Sequence, residues 1–269
     1  MKLLASQAAL GIGGRLLGPD VEFDGASFDT RSIEPGQLFV PIVADRDGHE
    51  FIGAAYEAGA ALHLSSRPDP FRADHTAIEV ADTAQALMAL AQWARARSAA
   101  TVVGVTGSVG KTSTKDLIAS AIGASRRTAA NERSFNNEQG LPITVLNSPD
   151  DTEVLILEMG MRGFGEISRL CEVARPSVGV VTSVGHSHTE RVGGIDGVAR
   201  AKRELVEALP RDGAAVLNAD DDRVAAMAAH TGAEVLTFGR GGDIAICDLS
   251  LDPSARPSFR ATTPWGVAD

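Results

Sequence analysis

One stretch limits what this chain can fold into more than any other: Gly107-Ser108-Val109-Gly110-Lys111-Thr112-Ser113, set between an apolar run and a helical pattern. Thr101-Val102-Val103-Gly104-Val105 reads as a buried strand, and residues 112–122 read as the helix that follows. A strand, a glycine turn, Gly-Lys-Thr and a helix together make a phosphate cradle. The glycines let backbone N–H groups approach the oxygens, and the helix N-terminus adds positive potential. Lys111 is placed to reach the β- and γ-phosphates of ATP or GTP, and the Thr112 hydroxyl to ligand Mg²⁺. The loop is tighter than a strict Walker A pattern, because Val105 stands where its first glycine belongs and the run is G-x-x-G-K-T-S. Gly-Lys-Thr after a buried strand is far rarer than a lone G-x-G. It favours nucleotide binding over an ordinary glycine turn with a solvated lysine.

From residue 101 onward strand and helix patterns alternate. Strands are expected at 101–105, 154–158, 178–182, 214–218 and 234–238, and helices at 112–122, 165–174, 197–208 and 221–229. Unbroken apolar strands such as Val154-Leu155-Ile156-Leu157 imply an α/β fold, a mostly parallel sheet with helices on both faces. Right-handed crossovers then place ligands at the carboxyl ends of the strands. Residues 1–99 read as a smaller N-terminal α/β domain and 100–269 as the P-loop domain. The first has expected strands at 37–43, 61–64 and 77–80, and helices at 51–58 and 83–97, the latter capped by Asp82. Met1-Lys2-Leu3-Leu4-Ala5 opens like a signal peptide. Ser6 and Gln7 break that run and Gly11, Gly13 and Gly14 soon follow, so it reads as a first helix of the fold. Beyond Gly239 the pattern becomes β-rich at 244–251 and 258–262, with Pro264-Trp265-Gly266 as a hairpin turn. The end at Asp269 reads as an interruption of the central domain rather than a cap.

A length of 269 residues suits about two domains. A net charge of −10 argues against a nucleic-acid backbone as partner, so positive charge must be concentrated locally, as at Lys111. No apolar run is long enough to span a membrane. Cys171 and Cys247 form no metal-type spacing and read as two small buried thiols in a reducing cytoplasm.

Other residues point toward the same sheet edge. Glu158 ends the strand at 154–158, where a carboxylate beside a P-loop can hold Mg²⁺ or cap a nearby helix. Val180-Val181-Thr182-Ser183-Val184-Gly185-His186-Ser187-His188 runs from a strand into a loop with two histidines, either able to ligand a metal or touch phosphate. Lys202 lies on the apolar stripe of Val198, Ala201, Leu205 and Leu209. Spacing alone leaves two readings: a stem that packs while the ammonium escapes to solvent, or an inward lysine that must be paired or modified. Phe135-Asn136-Asn137-Glu138-Gln139-Gly140 is a polar loop whose amides could bind a substrate or simply build a turn.

Together these segments resemble the Mur ligases, ATP-dependent amide ligases of peptidoglycan precursor synthesis. The resemblance rests on residues 106–113, Asn136-Asn137-Glu138-Gln139-Gly140-Leu141-Pro142, Glu158-Met159-Gly160, residues 183–190 and Gly197-Val198-Ala199-Arg200-Ala201-Lys202. Upstream it includes Asp29-Thr30-Arg31, Pro35-Gly36-Gln37-Leu38-Phe39-Val40 and Asp47-Gly48-His49-Glu50-Phe51, and downstream Leu217-Asn218-Ala219-Asp220-Asp221. The branch it resembles joins D-alanyl-D-alanine to UDP-N-acetylmuramoyl-tripeptide through an acyl phosphate, releasing ADP and phosphate. The resemblance implies ATP on residues 107–113 and two Mg²⁺ ions, one on Thr112 and Glu158, the other on His188 and a carbamylated Lys202. Lys111, Glu158, His188 and Lys202 are the implied catalytic set. It also implies the UDP-sugar against Thr30, Arg31 and His49, the acceptor peptide near Asn136 and Asn137, a cytoplasmic location and a monomer.

Two departures stand out. His186 occupies a position where that branch often has proline, and the family's adenine-side His-Asn segment and third domain have no counterpart here. The expectation is therefore little or no ligase turnover by this chain alone. The alternatives are a family member adding a single amino acid and a non-catalytic nucleotide-binding fragment.

Overall fold

The computed structural model describes residues 1–68, 75–132, 135–186 and 189–268. In its first hundred residues the elements are β1 (Lys2–Leu4), α1 (Ala5–Ile12), β2 (Arg15–Leu17), β3 (Glu22–Asp24), β4 (Ala26–Ser27), β5 (Leu38–Phe39), α2 (Ile52–Glu57), β6 (Leu62–Ser65), β7 (Thr76–Glu79) and α3 (Thr83–Arg95). There follow β8 (Thr101–Thr106), α4 (Lys111–Gly123), β9 (Thr128–Ala130), α5 (Gly140–Leu146), β10 (Val154–Glu158), α6 (Glu166–Ala174), β11 (Val178–Val181), α7 (Thr189–Val192) and α8 (Ile195–Glu207). The last are β12 (Ala214–Asn218), α9 (Asp222–Ala225), β13 (Glu234–Phe238), β14 (Ala245–Leu251), β15 (Pro257–Thr263) and β16 (Gly266–Ala268).

Two compact units result. One contains residues 1–100 with 126–155 and 172–174, the other 101–125, 156–171 and 175–269. In the first unit a five-stranded sheet runs β2-β7-β6-β5-β4, parallel except for the β2–β7 pair. The α3 helix starts where expected, because the Asp82 carboxylate accepts the Gln85 N–H at 2.9 Å. Its buried Leu87, Leu90 and Ala91 face α1 and α5. The strand expected at 37–43 is only β5, and the chain opens with a short strand, β1, before the first helix.

In the second unit the strands run β13-β12-β11-β8-β10. The β8, β11, β12 and β13 pairings are all parallel, as the unbroken apolar strands require. Gly104 on β8 lies opposite Gly179 on β11. A Cβ at Gly104 would meet Leu205 Cδ1 at 2.9 Å, and one at Gly179 would meet Leu205 Cγ at 3.2 Å. The paired glycines thus let α8 sit close on the sheet, which brings the helix carrying Lys202 toward the carboxyl end of β8. The helix expected at 221–229 is split: α9 gives way to a 3₁₀ turn at Ala226–His230. A separate antiparallel sheet, β14-β15-β16, turns at Pro264 and Trp265 as expected. One expectation is corrected there. Cys171 is buried, but Cys247 is exposed, because it lies on β14, whose residues are almost all open to solvent.

Candidate active site

The P-loop follows directly from β8. Gly107 has φ 155° and Gly110, which precedes α4, has φ 83°, both in the region that glycine tolerates. A Cβ on Gly107 would lie 1.8 Å from Thr182 Oγ1, so this glycine is required by close approach as well as by conformation. Lys111 is the first residue of α4, and its ammonium donates to the Gly107 carbonyl at 3.0 Å, folded over the loop that it serves. Thr112 and Ser113 are exposed on the first turn, so the helix N-terminus is open to a ligand.

Glu158 is only 1 % exposed at the end of β10, and it accepts the Thr112 hydroxyl at 2.7 Å. The pair sits at the carboxyl ends of β8 and β10, which stay bonded past Glu158: Met159 N–H donates to Val105 O at 2.8 Å, and Thr106 Oγ1 to Met159 O at 2.9 Å. A hydroxyl and a carboxylate oxygen in contact are two hard donors of the kind Mg²⁺ takes.

Lys202 resolves the choice that spacing left open. It is 3 % exposed, packed with Val198, Ala201 and Leu205 on the buried face of α8 rather than reaching solvent. Burial, and secondarily the Lys111 ammonium, bring its pKa down from 10.5 to about 7. Near neutrality a substantial fraction of Lys202 is therefore the free amine. Among the described residues no three His, Cys, Asp or Glu side chains gather as a metal cluster. His188, expected to complete the set, lies outside the described residues, and His186 is exposed.

In the first unit Asp29-Thr30-Arg31 forms a turn. Arg31 is 88 % exposed, and its guanidinium reaches back to Asp29 through Nε at 2.9 Å and Nη2 at 2.6 Å. Those side-chain bonds, with the Arg31 N–H, hold the Asp29 carboxyl at a pKa of about 2. Thr30 is half-buried in the same turn. His49 is 9 % exposed and engaged at both ring nitrogens: Nδ1 lies 2.7 Å from Asp47 Oδ1, and Nε2 accepts the Ser66 N–H at 3.2 Å. His49, with Arg67, holds the Asp47 carboxyl below its usual range. Asn137 Oδ1 accepts the Gln139 and Gly140 N–H groups at 3.2 and 2.9 Å, so it ties the turn that leads into α5, while Asn136 is half-buried beside it.

Sequence reasoning included Thr182, Ser183 and Asp47 in its segments without giving them roles of their own, and it missed Ser66, because polar side chains in loops carry no periodic signal. It also missed Lys115, buried one turn after Lys111 with its ammonium 2.9 Å from Asp116. The spacing from Lys111 could have drawn attention to it.

Residues 105–260 match the Mur ligase middle domain, more than half of the chain. The chain belongs to the Mur ligase family. It is 43% identical over 255 residues to the UDP-N-acetylmuramoyl-tripeptide--D-alanyl-D-alanine ligase of Mycobacterium bovis, a match covering 86% of this chain and 50% of that protein. The protein of the same name from Bacillus subtilis is 42% identical over 214 residues, covering 77% of this chain and 47% of its own. Among solved structures, MurF from Acinetobacter baumannii superposes with a TM-score of 0.90 at 27% identity, over 100% of this chain and 60% of that one. The MurF ligase of Thermotoga maritima in complex with ADP superposes with a TM-score of 0.78 at 28% identity, over 91% and 57%. This Mur ligase chain thus spans about half the length of the curated relatives it matches. Among the described residues no helix is long and apolar enough to cross a membrane.

Proposed function

We propose that this chain is the UDP-sugar-binding and ATP-binding part of a MurF-type ligase, which joins D-alanyl-D-alanine to UDP-N-acetylmuramoyl-tripeptide at the expense of ATP. The observation that carries the reading is the grouping of Lys111, the contacting pair Thr112 and Glu158, and the buried Lys202 around one glycine loop. The names and extents of the relatives support the acceptor assignment.

A carboxylate is a poor electrophile, and oxide is a poor leaving group. Transfer of the γ-phosphoryl group to the peptide carboxylate therefore precedes attack by the amine of D-alanyl-D-alanine, and the tetrahedral intermediate expels phosphate. In this reading the loop N–H groups and Lys111 bind and orient the β- and γ-phosphates. Thr112 and Glu158 would hold one Mg²⁺, and Lys202, as a carbamate, would hold the second together with His188. Bound there, the ions neutralise charge on the transferring phosphoryl oxygens. A free amine is the form of lysine that adds carbon dioxide, and the lowered pKa of Lys202 supplies it at neutral pH. Without that addition, a second cation beside Lys111 would oppose metal binding.

Residues 1–99 then form the UDP-sugar domain and 100–269 the ATP domain. Arg31 is the exposed cation for the sugar nucleotide, with Thr30 in its turn and His49 bracing the neighbouring loop. Asn136 and Asn137 belong near the acceptor peptide. The protein acts in the cytoplasm, as a monomer.

The test is ADP release by the complete gene product that carries this chain, given UDP-N-acetylmuramoyl-tripeptide and different amines. D-alanyl-D-alanine is expected to drive release, with single amino acids at least about tenfold poorer in kcat/KM. Preference for a single amino acid would assign the chain to another branch. ATP binding without release under any amine would leave a nucleotide-binding protein.

A further inference from the structure

Val109 stands at the tip of the phosphate loop with its side chain 74% exposed, so burial does not fix its backbone. The segment after β11 does. Thr182 Oγ1 donates to the Val109 carbonyl at 2.6 Å, and the Val109 N–H donates to Ser183 Oγ at 3.2 Å. The Ser108 N–H donates to the Ser183 carbonyl at 2.9 Å, and the Gly185 N–H to Ser108 Oγ at 2.8 Å. Both peptide planes flanking Val109 are thereby pinned. The pairing continues β8 and β11 past their ends, since Val181 is in register with Thr106 and Thr182 N–H donates to Thr106 O at 3.0 Å.

The bracing segment is itself held from β12. Asn218 Nδ2 donates to the Thr182 carbonyl at 2.8 Å, and the Val184 N–H donates to Asp221 Oδ2 at 2.7 Å. Asp221 also caps α9 by accepting the Arg223 and Val224 N–H groups. The hydroxyl of Thr182 fills the space that a Cβ at Gly107 would occupy, so the loop and its brace are fitted to each other. A loop built on positive-φ glycines has many conformations to lose when it closes on phosphate. Bonds made before the ligand arrives remove that cost from binding.

We propose that Thr182 is a positioning residue for nucleotide binding: it does not touch ATP, but through the Val109 carbonyl it holds the phosphate loop in its receiving shape, and Asn218 and Asp221 hold Thr182 in turn. This inference rests on the assignment of residues 107–113 to the phosphates of ATP.

The experiment is a calorimetric titration of the complete gene product that carries this chain with ATP and Mg²⁺, using wild type, Lys111→Ala, Thr182→Val and Thr182→Ser. Valine keeps the branched shape and deletes only the hydroxyl. Thr182→Val is expected to weaken ATP binding about five- to tenfold, and Thr182→Ser to recover affinity to within about twofold of wild type. The ligand-free melting temperature of Thr182→Val should stay within about 2 °C, because Ser183 Oγ, 3.3 Å from the Val109 carbonyl, can still donate to it. Wild-type affinity in Thr182→Val, with binding lost in Lys111→Ala, overturns this inference alone. A fall in melting temperature that accompanies the loss of affinity overturns it in favour of a merely structural role. Failure of wild type to bind, or equal binding by Lys111→Ala, overturns the loop assignment beneath it. Should Thr182→Val not fold, Thr182→Ala, which removes the same hydroxyl without placing a methyl against Gly107, carries the same test.

Discussion

Lys111→Ala will cost the enzyme on the order of 10²–10³ in kcat/KM for ATP, the scale seen when one preorganised charged or polar donor is removed from a transition state. Lys111 opens α4 and is folded over the loop onto the Gly107 carbonyl, so its ammonium lies above the cradle before any ligand arrives. As the γ-phosphoryl group leaves, charge spreads over its oxygens and the β-phosphate, and alanine provides nothing to meet it. Arginine will not substitute, because its planar fork does not place a point charge in the same space. The substitution also reaches Lys202. The Lys111 ammonium is the second cause of its lowered pKa after burial, so the Lys202 pKa will rise in the variant but stay below its ordinary value. Steady-state ADP release together with calorimetry measures the effect, and unchanged kinetics would remove the P-loop assignment.

Lys202→Ala will reduce activity about 100-fold or more, as expected when an oxygen ligand to a catalytic ion is lost. Short carboxylates such as acetate, or added bicarbonate, will restore part of it by supplying an oxygen anion in the vacated space. A ¹³C carbamate signal from labelled bicarbonate should appear in wild type and be missing in the variant. Full activity of Lys202→Ala would discard the carbamate. The same lysine gives stability a pH dependence in the metal-free chain. The unfolded chain keeps the Lys202 proton up to its ordinary pKa of 10.5, whereas the folded chain releases it near pH 7. Between these values the unfolded state binds more protons, so stability rises with pH through that window. Lys202→Met should therefore be more stable than wild type at about pH 6.5, with the gap narrowing by about pH 9.5. A gap that does not change with pH would mean that the amine is not buried as its packing against Val198 and Leu205 indicates.

Where the sequence carried a repeating physical constraint, the structure could be read from it. The five strands expected from residue 101 onward are all present, most clearly β8 and β10, whose unbroken apolar runs are stable only when both faces are covered. Gly-Lys-Thr marked the glycine turn between β8 and α4, because few other arrangements need a glycine turn, a cation and a hydroxyl in that order. Lys202 was visible as an anomaly, but its spacing could not decide between burial and escape. That depended on how closely α8 approaches the sheet, which Gly104 and Gly179 settle by lying side by side on adjacent strands. Thr182, Ser183 and Asn218 were not legible as a brace, because they meet the loop only once β8, β11 and β12 are in register. His49 was read as a residue facing a ligand, yet its ring is engaged with Asp47 and Ser66. Asn137 likewise ties the turn before α5, a use that asparagine pairs in turns share with binding loops. Cys247 read as buried because cysteine usually is, and the open sheet around it overrode that preference.

In the proposed reaction ATP activates the peptide carboxylate as an acyl phosphate. Its most direct test is oxygen transfer in the complete gene product, with ¹⁸O placed in the terminal carboxylate of UDP-N-acetylmuramoyl-tripeptide and D-alanyl-D-alanine as acceptor. One ¹⁸O is expected in the released phosphate for each amide formed. Amide formation with unlabelled phosphate would contradict it.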